Sequence, residues 1–261
     1  KNKESRMSSK EEKKSEEDRQ YVWIVRYGVT EYSLVEGVGP YDSDIDPIEG
    51  VAHADAIAKR LLSHRSSRPS AVYADPFQRC AHTAHIIAST LSTPLCIEEG
   101  LTEWQTPSLL VNAADGIMTF PKSAQQLKKL YDSIDLNYKS VNPMANKDDG
   151  VVAGAPKFEE STQDLKVRCA CTMDKLLSSS GTNNSNLVIV SHAPCNQMLA
   201  HHLAHDKTVV GPWSLGGITC FSRSVTAEGE AKYGEWTCEY FSDTTHMPDG
   251  DYKDGVKGRW S

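Results

Sequence analysis

Two short runs, Val22-Trp23-Ile24-Val25 and Leu187-Val188-Ile189-Val190, constrain this chain more than any other feature. Neither carries a polar residue on either face of a pleat. A strand that is apolar on both faces must be covered on both faces, the condition of a parallel sheet sandwiched between helices. Both runs also end abruptly, one in Arg26-Tyr27-Gly28 and the other in Ser191-His192-Ala193. Strand ends of that kind present chemistry at a sheet edge.

The pattern between the runs agrees with alternating strands and helices. A strand is expected over 21–26 and a Gly-, Pro- and Asp-rich loop over 34–47. Apolar residues then recur at helical spacing from 48 to about 64 (Val51, Ala54, Ile57, Ala58, Leu61, Leu62). The stretch AVYA (71–74) reads as a strand, QRCAHTAHIIASTL as a helix and LCIEE (95–99) as a strand. Residues 105–160 are irregular, with one expected helix in SAQQLKKLYDSI, and read as an inserted cover. Pattern returns with the helix STQDLKVRCACTMDKLLSS, whose inner face is Leu165, Cys169, Met173, Leu176 and Leu177. The strand LVIVS, the Pro194 helix and the strands ITCFSRS and WTCEYFS complete the pattern. The fold class expected is α/β, a three-layer α/β/α sandwich around a mostly parallel sheet. Residues 1–20 read as a charged, disordered arm, 21–245 as the domain and 246–261 as a polar tail.

Composition narrows the function classes. Of 261 residues, 39% are hydrophobic and 24% charged, which suits one large domain. No apolar run approaches the roughly 18 residues needed to span a bilayer, so a soluble chain with no membrane partner is expected. A net charge of −7 argues against nucleic acid as the main partner. Seven scattered cysteines without zinc-ligand spacing point to reduced thiols in a cytoplasmic or nuclear protein, with no metal and no cofactor expected.

Ligands of open parallel sheets bind outside the carboxyl ends of the strands. Arg26 and His192 each follow a strand, and Arg79 starts the helix after AVYA. Two guanidiniums and an imidazole at one edge make an anion pocket, and phosphate suits the forked donors of arginine best.

At these residues the chain resembles the histidine phosphatase superfamily, the phosphoglycerate mutase-like proteins. The family's opening Arg-His-Gly-Glu-Thr is present as RYGVT (26–30) and its second arginine motif as ADPFQRCAHTA (74–84). The acidic Leu-x-Glu is LTE (101–103), the Gly-Glu-Ser before a helix is EES (159–161), and the second-histidine motif is SHA (191–193). The DPFQRC form is more similar to eukaryotic members tied to signalling and transcription assemblies than to glycolytic mutases. The resemblance implies phosphate binding by Arg26, Arg79 and His192, and a proton donor at Glu103.

The nucleophile position departs from the family: Tyr27 stands where the phosphate-accepting histidine belongs. Tyrosine's pKa of about 10 leaves little phenolate at neutral pH, and its oxygen reaches into the space phosphate needs. Val29 for glutamate and Ala193 for glycine depart in the same direction. The expectation is therefore a catalytically degenerate member that binds a phosphorylated small molecule, a phosphoprotein or a protein partner in a regulatory or scaffolding role. The alternatives are an active phosphomonoesterase using Tyr27 or His192, and a pocket redirected to non-hydrolytic chemistry. The phenol oxygen of Tyr27 is expected among Arg26, Arg79 and His192, occupying part of the phosphate volume.

Overall fold

The computed structural model describes residues 19–31, 42–64, 67–110, 120–144, 156–179, 185–205, 211–226 and 233–248. Expectations for residues 1–18 of the N-terminal arm, 249–261 of the tail and parts of the insertion fall outside these residues. Arg19 and Gln20, read as arm, instead begin the first strand, with Gln20 buried. Six strands are described: β1 (Arg19–Arg26), β2 (Ala71–Ala74), β3 (Leu95–Ile97), β4 (Leu187–Ser191), β5 (Ile218–Ser224) and β6 (Thr237–Asp243). They form one sheet in the order β3-β2-β4-β1-β5-β6. The first four strands of that order run parallel, and β5 and β6 close the sheet antiparallel.

The doubly apolar strands do what their composition requires. In β1, Trp23 and Val25 face one core layer while Val22 and Ile24 face the other. The first layer is filled by α1 (Glu49–Ser63) and α2 (Gln78–Leu91), through Ile57, Ala58, Leu61, Ala84 and Ile87. The second is filled by α4 (Thr162–Ser179) and α5 (Ala193–Leu203), through Leu165, Cys169, Met173, Leu176 and Leu199. Trp23, fully buried, has its ring against Tyr21 and His64. No helix among the described residues is long and apolar enough to cross a membrane.

The insertion differs from expectation. Its helix α3 spans only Ala124–Lys128, opened by a capping box of Ser123 and Gln126. The chain then leaves the helix because Lys128 Nζ donates to the carbonyl of Ile134 at 2.7 Å and to that of Asp132, while Ile134 bridges to Leu95 at the sheet edge. Tertiary pairing overrides helix propensity there. A buried carboxylate fastens residues 138–142. Glu98, just past β3, accepts hydrogen bonds from Gly100 N, Tyr138 Oη, Ser140 Oγ, Val141 N and Asn142 N, at 2.6–3.2 Å.

Candidate functional site

Strand register brings the candidate site residues together. Arg26 pairs with Ser191 across β1 and β4, and Ala74 pairs with Val190 across β2 and β4. Tyr27, His192 and Asp75, each just past its strand, therefore leave the same edge of the sheet. Asp75 makes the turn from β2 into α2: its Oδ1 accepts from Phe77 N at 2.5 Å, two residues on, an Asx turn. That turn delivers Arg79 in the first turn of α2. His192 is the N-cap of α5 in extended backbone, with Pro194 early in the helix. Gly28 allows the turn after β1 to pass tightly over α1. A Cβ there would lie 2.7 Å from the Gly50 carbonyl oxygen.

Arg79, Glu103 and His192 converge. The Arg79 guanidinium lies 3.9 Å from Glu103 Oε2, and the same oxygen lies 3.6 Å from His192 Nε2. All three side chains are buried. Arg26 approaches the group but is also engaged elsewhere, since its Nη1 donates to the Trp213 carbonyl. Tyr27 meets the cluster through its ring. Cζ of Arg79 is 5.1 Å and Cζ of Arg26 5.5 Å from the ring centroid, within cation–π range. The His192 ring stands edge-on to it at 5.0 Å.

Sequence reasoning missed Asp75, which is fully buried with Oδ2 3.0 Å from His192 Nδ1. It also missed Phe77, whose ring stands edge-on to His192 at 5.8 Å. Both lie inside the DPFQR segment, where the aspartate and proline read as turn chemistry alone; their contact with the imidazole comes from the register of β2 on β4.

The electrostatics derive from burial. Burial pushes the Asp75 carboxyl up to about 7, against the pull of the Phe77 N–H and the Arg79 charge. Burial holds His192 well below the ordinary imidazole range. Glu103 pulls it upward, but Arg79, Arg26 and Arg168 push it down. Near neutral pH the imidazole is neutral, and the fixed positive charge of the pocket comes from the arginines.

One donor set could in principle hold a metal. Asp75, Cys80 and His192 place ligand atoms within 4.8 Å of one another. Burial keeps the Cys80 thiol well above its ordinary range and so protonated, and the guanidinium of Arg79 adds positive potential. Those surroundings suit an anion better than a cation.

Comparisons with known proteins give the family and the fold. The model of the histidine phosphatase superfamily (branch 1) matches residues 22–239. The chain is 38% identical over 92 residues to the transcription factor tau 55 kDa subunit of Saccharomyces cerevisiae, a match covering 33% of this chain and 21% of that protein. The matched stretch thus spans about a fifth of the length of that relative. Among solved structures, a protein titled mycobacterial hydrolase 2 superposes with a TM-score of 0.56 at 16% identity, covering 86% of this chain and 91% of that one. The ecdysone phosphate phosphatase of Bombix mori, solved with tungstate, also gives 0.56 at 16% identity, covering 93% and 98%.

Proposed function

Because this chain belongs to the histidine phosphatase superfamily, branch 1, we propose that it is a catalytically degenerate member whose pocket binds a phosphorylated or other anionic ligand. Its role on this reading is regulatory or scaffolding, within a protein assembly. One observation carries the proposal: the Tyr27 ring lies within about 5 Å of His192 and Arg79, and the motif resemblance assigns Tyr27 to the family's phosphate-acceptor position. A phenol at that position is a poor phosphate acceptor at neutral pH, where little of it is ionised. The arginines that would hold the anion remain. Membership in a protein assembly, with a nuclear setting, is supported by the partial likeness to a yeast transcription factor subunit.

A second reading has its own observation. Asp75 Oδ2 lies 3.0 Å from His192 Nδ1, and a neutral imidazole beside a carboxyl group can serve as nucleophile or base. On that reading His192 carries hydrolysis in place of the missing residue.

Turnover of an aryl phosphate and calorimetric binding of tungstate separate the two. The degenerate reading expects native turnover no higher than that of Arg79→Ala, with measurable hydrolysis gained by Tyr27→His. It also expects tungstate to bind the native chain about tenfold or more tighter than Arg79→Ala. Native turnover abolished by His192→Ala would establish the second reading. Turnover abolished by Tyr27→Phe would make the tyrosine a working nucleophile.

A further inference from the structure

Behind the pocket lies a third arginine, Arg168, eight residues after Glu160 of the EES motif; the sequence reading gives it no role. Arg168, on the inner face of α4, is fully buried, and all five of its N–H groups are used. Its Nε and Nη2 grip the two oxygens of Glu160 at 2.7 and 2.8 Å. Its Nη1 donates to the carbonyls of Gly100 and Thr102 at 2.9 and 2.8 Å, and Nη2 reaches that of Glu103 at 3.4 Å. The remaining carbonyl of this stretch, Leu101, accepts from Ser191 Oγ at 2.8 Å. Glu160 tightens the same loop, accepting from Gln105 N at 3.2 Å through Oε2 and from Trp104 Nε1 at 2.8 Å through its carbonyl.

We propose that the buried Arg168–Glu160 pair is a positioning device: it fixes the backbone of residues 100–103 and so holds the Glu103 carboxylate against His192 Nε2 and Arg79. Stability alone does not account for it. A buried ion pair is often no better than well-packed apolar residues of the same volume. A forked, planar guanidinium does what they cannot, setting three carbonyls of one loop in register with a carboxylate on another. Arg168 and Glu160 act on the pocket through Glu103. The positioning role stands apart from the anion-binding reading above; only its ligand readout rests on that reading.

The test is a double-mutant cycle on the full chain between Arg168→Lys and Glu103→Gln, read by the Kd for tungstate and by the ¹⁵N signals of the His192 ring. In the native background Glu103→Gln removes a carboxylate beside the arginines, so tungstate should bind about threefold or more tighter. The His192 ring signals should shift with it. In the Arg168→Lys background the carboxylate has already left its place. The same substitution should then change Kd by less than about 1.5-fold and leave the ring signals still. Equal effects in both backgrounds would overturn the proposal. Leu127→Ala, in the opposite core layer, serves as the control for simple destabilisation and should preserve the full effect of Glu103→Gln. If tungstate binds none of the chains, the anion-binding reading fails and the ring signals alone decide the positioning role. If Arg168→Lys does not fold, Glu160→Gln breaks the same pair and takes its place in the cycle.

Discussion

At the scale of single residues, the pocket rests on two groups whose proton affinities are driven in opposite senses. Asp75 is raised to about 7 in the folded chain, so its unfolded form loses its proton first. Its contribution to stability is fully present below the unfolded value near 4 and is lost as pH rises towards 7. His192 is depressed, so its contribution is present above the ordinary value near 6.5 and is lost as pH falls below it. Between about pH 4 and 6.5 the two slopes oppose each other. Asp75→Asn removes the first and leaves the second. Its stability, measured by urea unfolding, should therefore fall more steeply than that of the native chain from pH 7 to 4. It should exceed native stability at pH 8. The limiting slope is about 1.4 kcal/mol per pH unit for each group. Arg26, Arg79 and His192 could be placed from the sequence because each ends a strand or starts a helix, and position along an element reveals direction; Glu103 came from the family resemblance alone. The contact of Asp75 with His192 and the pairing of Arg168 with Glu160, a residue of the EES motif, were not legible. The partners lie 117 and 8 residues apart respectively, and an arginine one step from Cys169 gives no sign in a helical pattern that it points inward.

At the scale of elements, regular structure was legible wherever a strand or helix buries a continuous apolar face. The helix over 78–91 and the strands over 187–191 and 218–224 stand where the pattern put them. The insertion was less legible because few local contacts decide it; the Glu98 carboxylate and the edge of β3 do so instead. Glu98→Ala should cost about 2–4 kcal/mol in urea unfolding, since five donors lose their acceptor and some of them are buried. Hydrogen exchange at residues 138–142 should quicken in the same variant while α5 is unchanged. Gly28→Ala tests the close approach of the post-β1 turn to α1. The added carbon meets backbone, not a yielding side chain, at 2.7 Å. A loss of about 1–3 kcal/mol is expected by thermal unfolding.

At the scale of the whole molecule, β1 is the centre on which everything else is hung. It is bonded to β4 on one side and β5 on the other, whereas β6 is held by β5 alone among the described strands. Amide exchange should obey that order. Val22–Val25 and Leu187–Val190 should be the slowest to exchange, and the β6 amides about tenfold or more faster, a gap of roughly 1.4 kcal/mol in opening free energy. The two neighbours of β1 also arrive late in the chain, at residues 187 and 218. A ribosome adding roughly 5–20 residues per second needs on the order of ten seconds or more to travel from β1 to β4. Through that interval the doubly apolar run Val22–Val25 of β1 has emerged with neither of its hydrogen-bonding edges covered. Exposed apolar surface of this kind is what chaperones bind, and the pocket, which needs His192, is among the last features synthesis can complete.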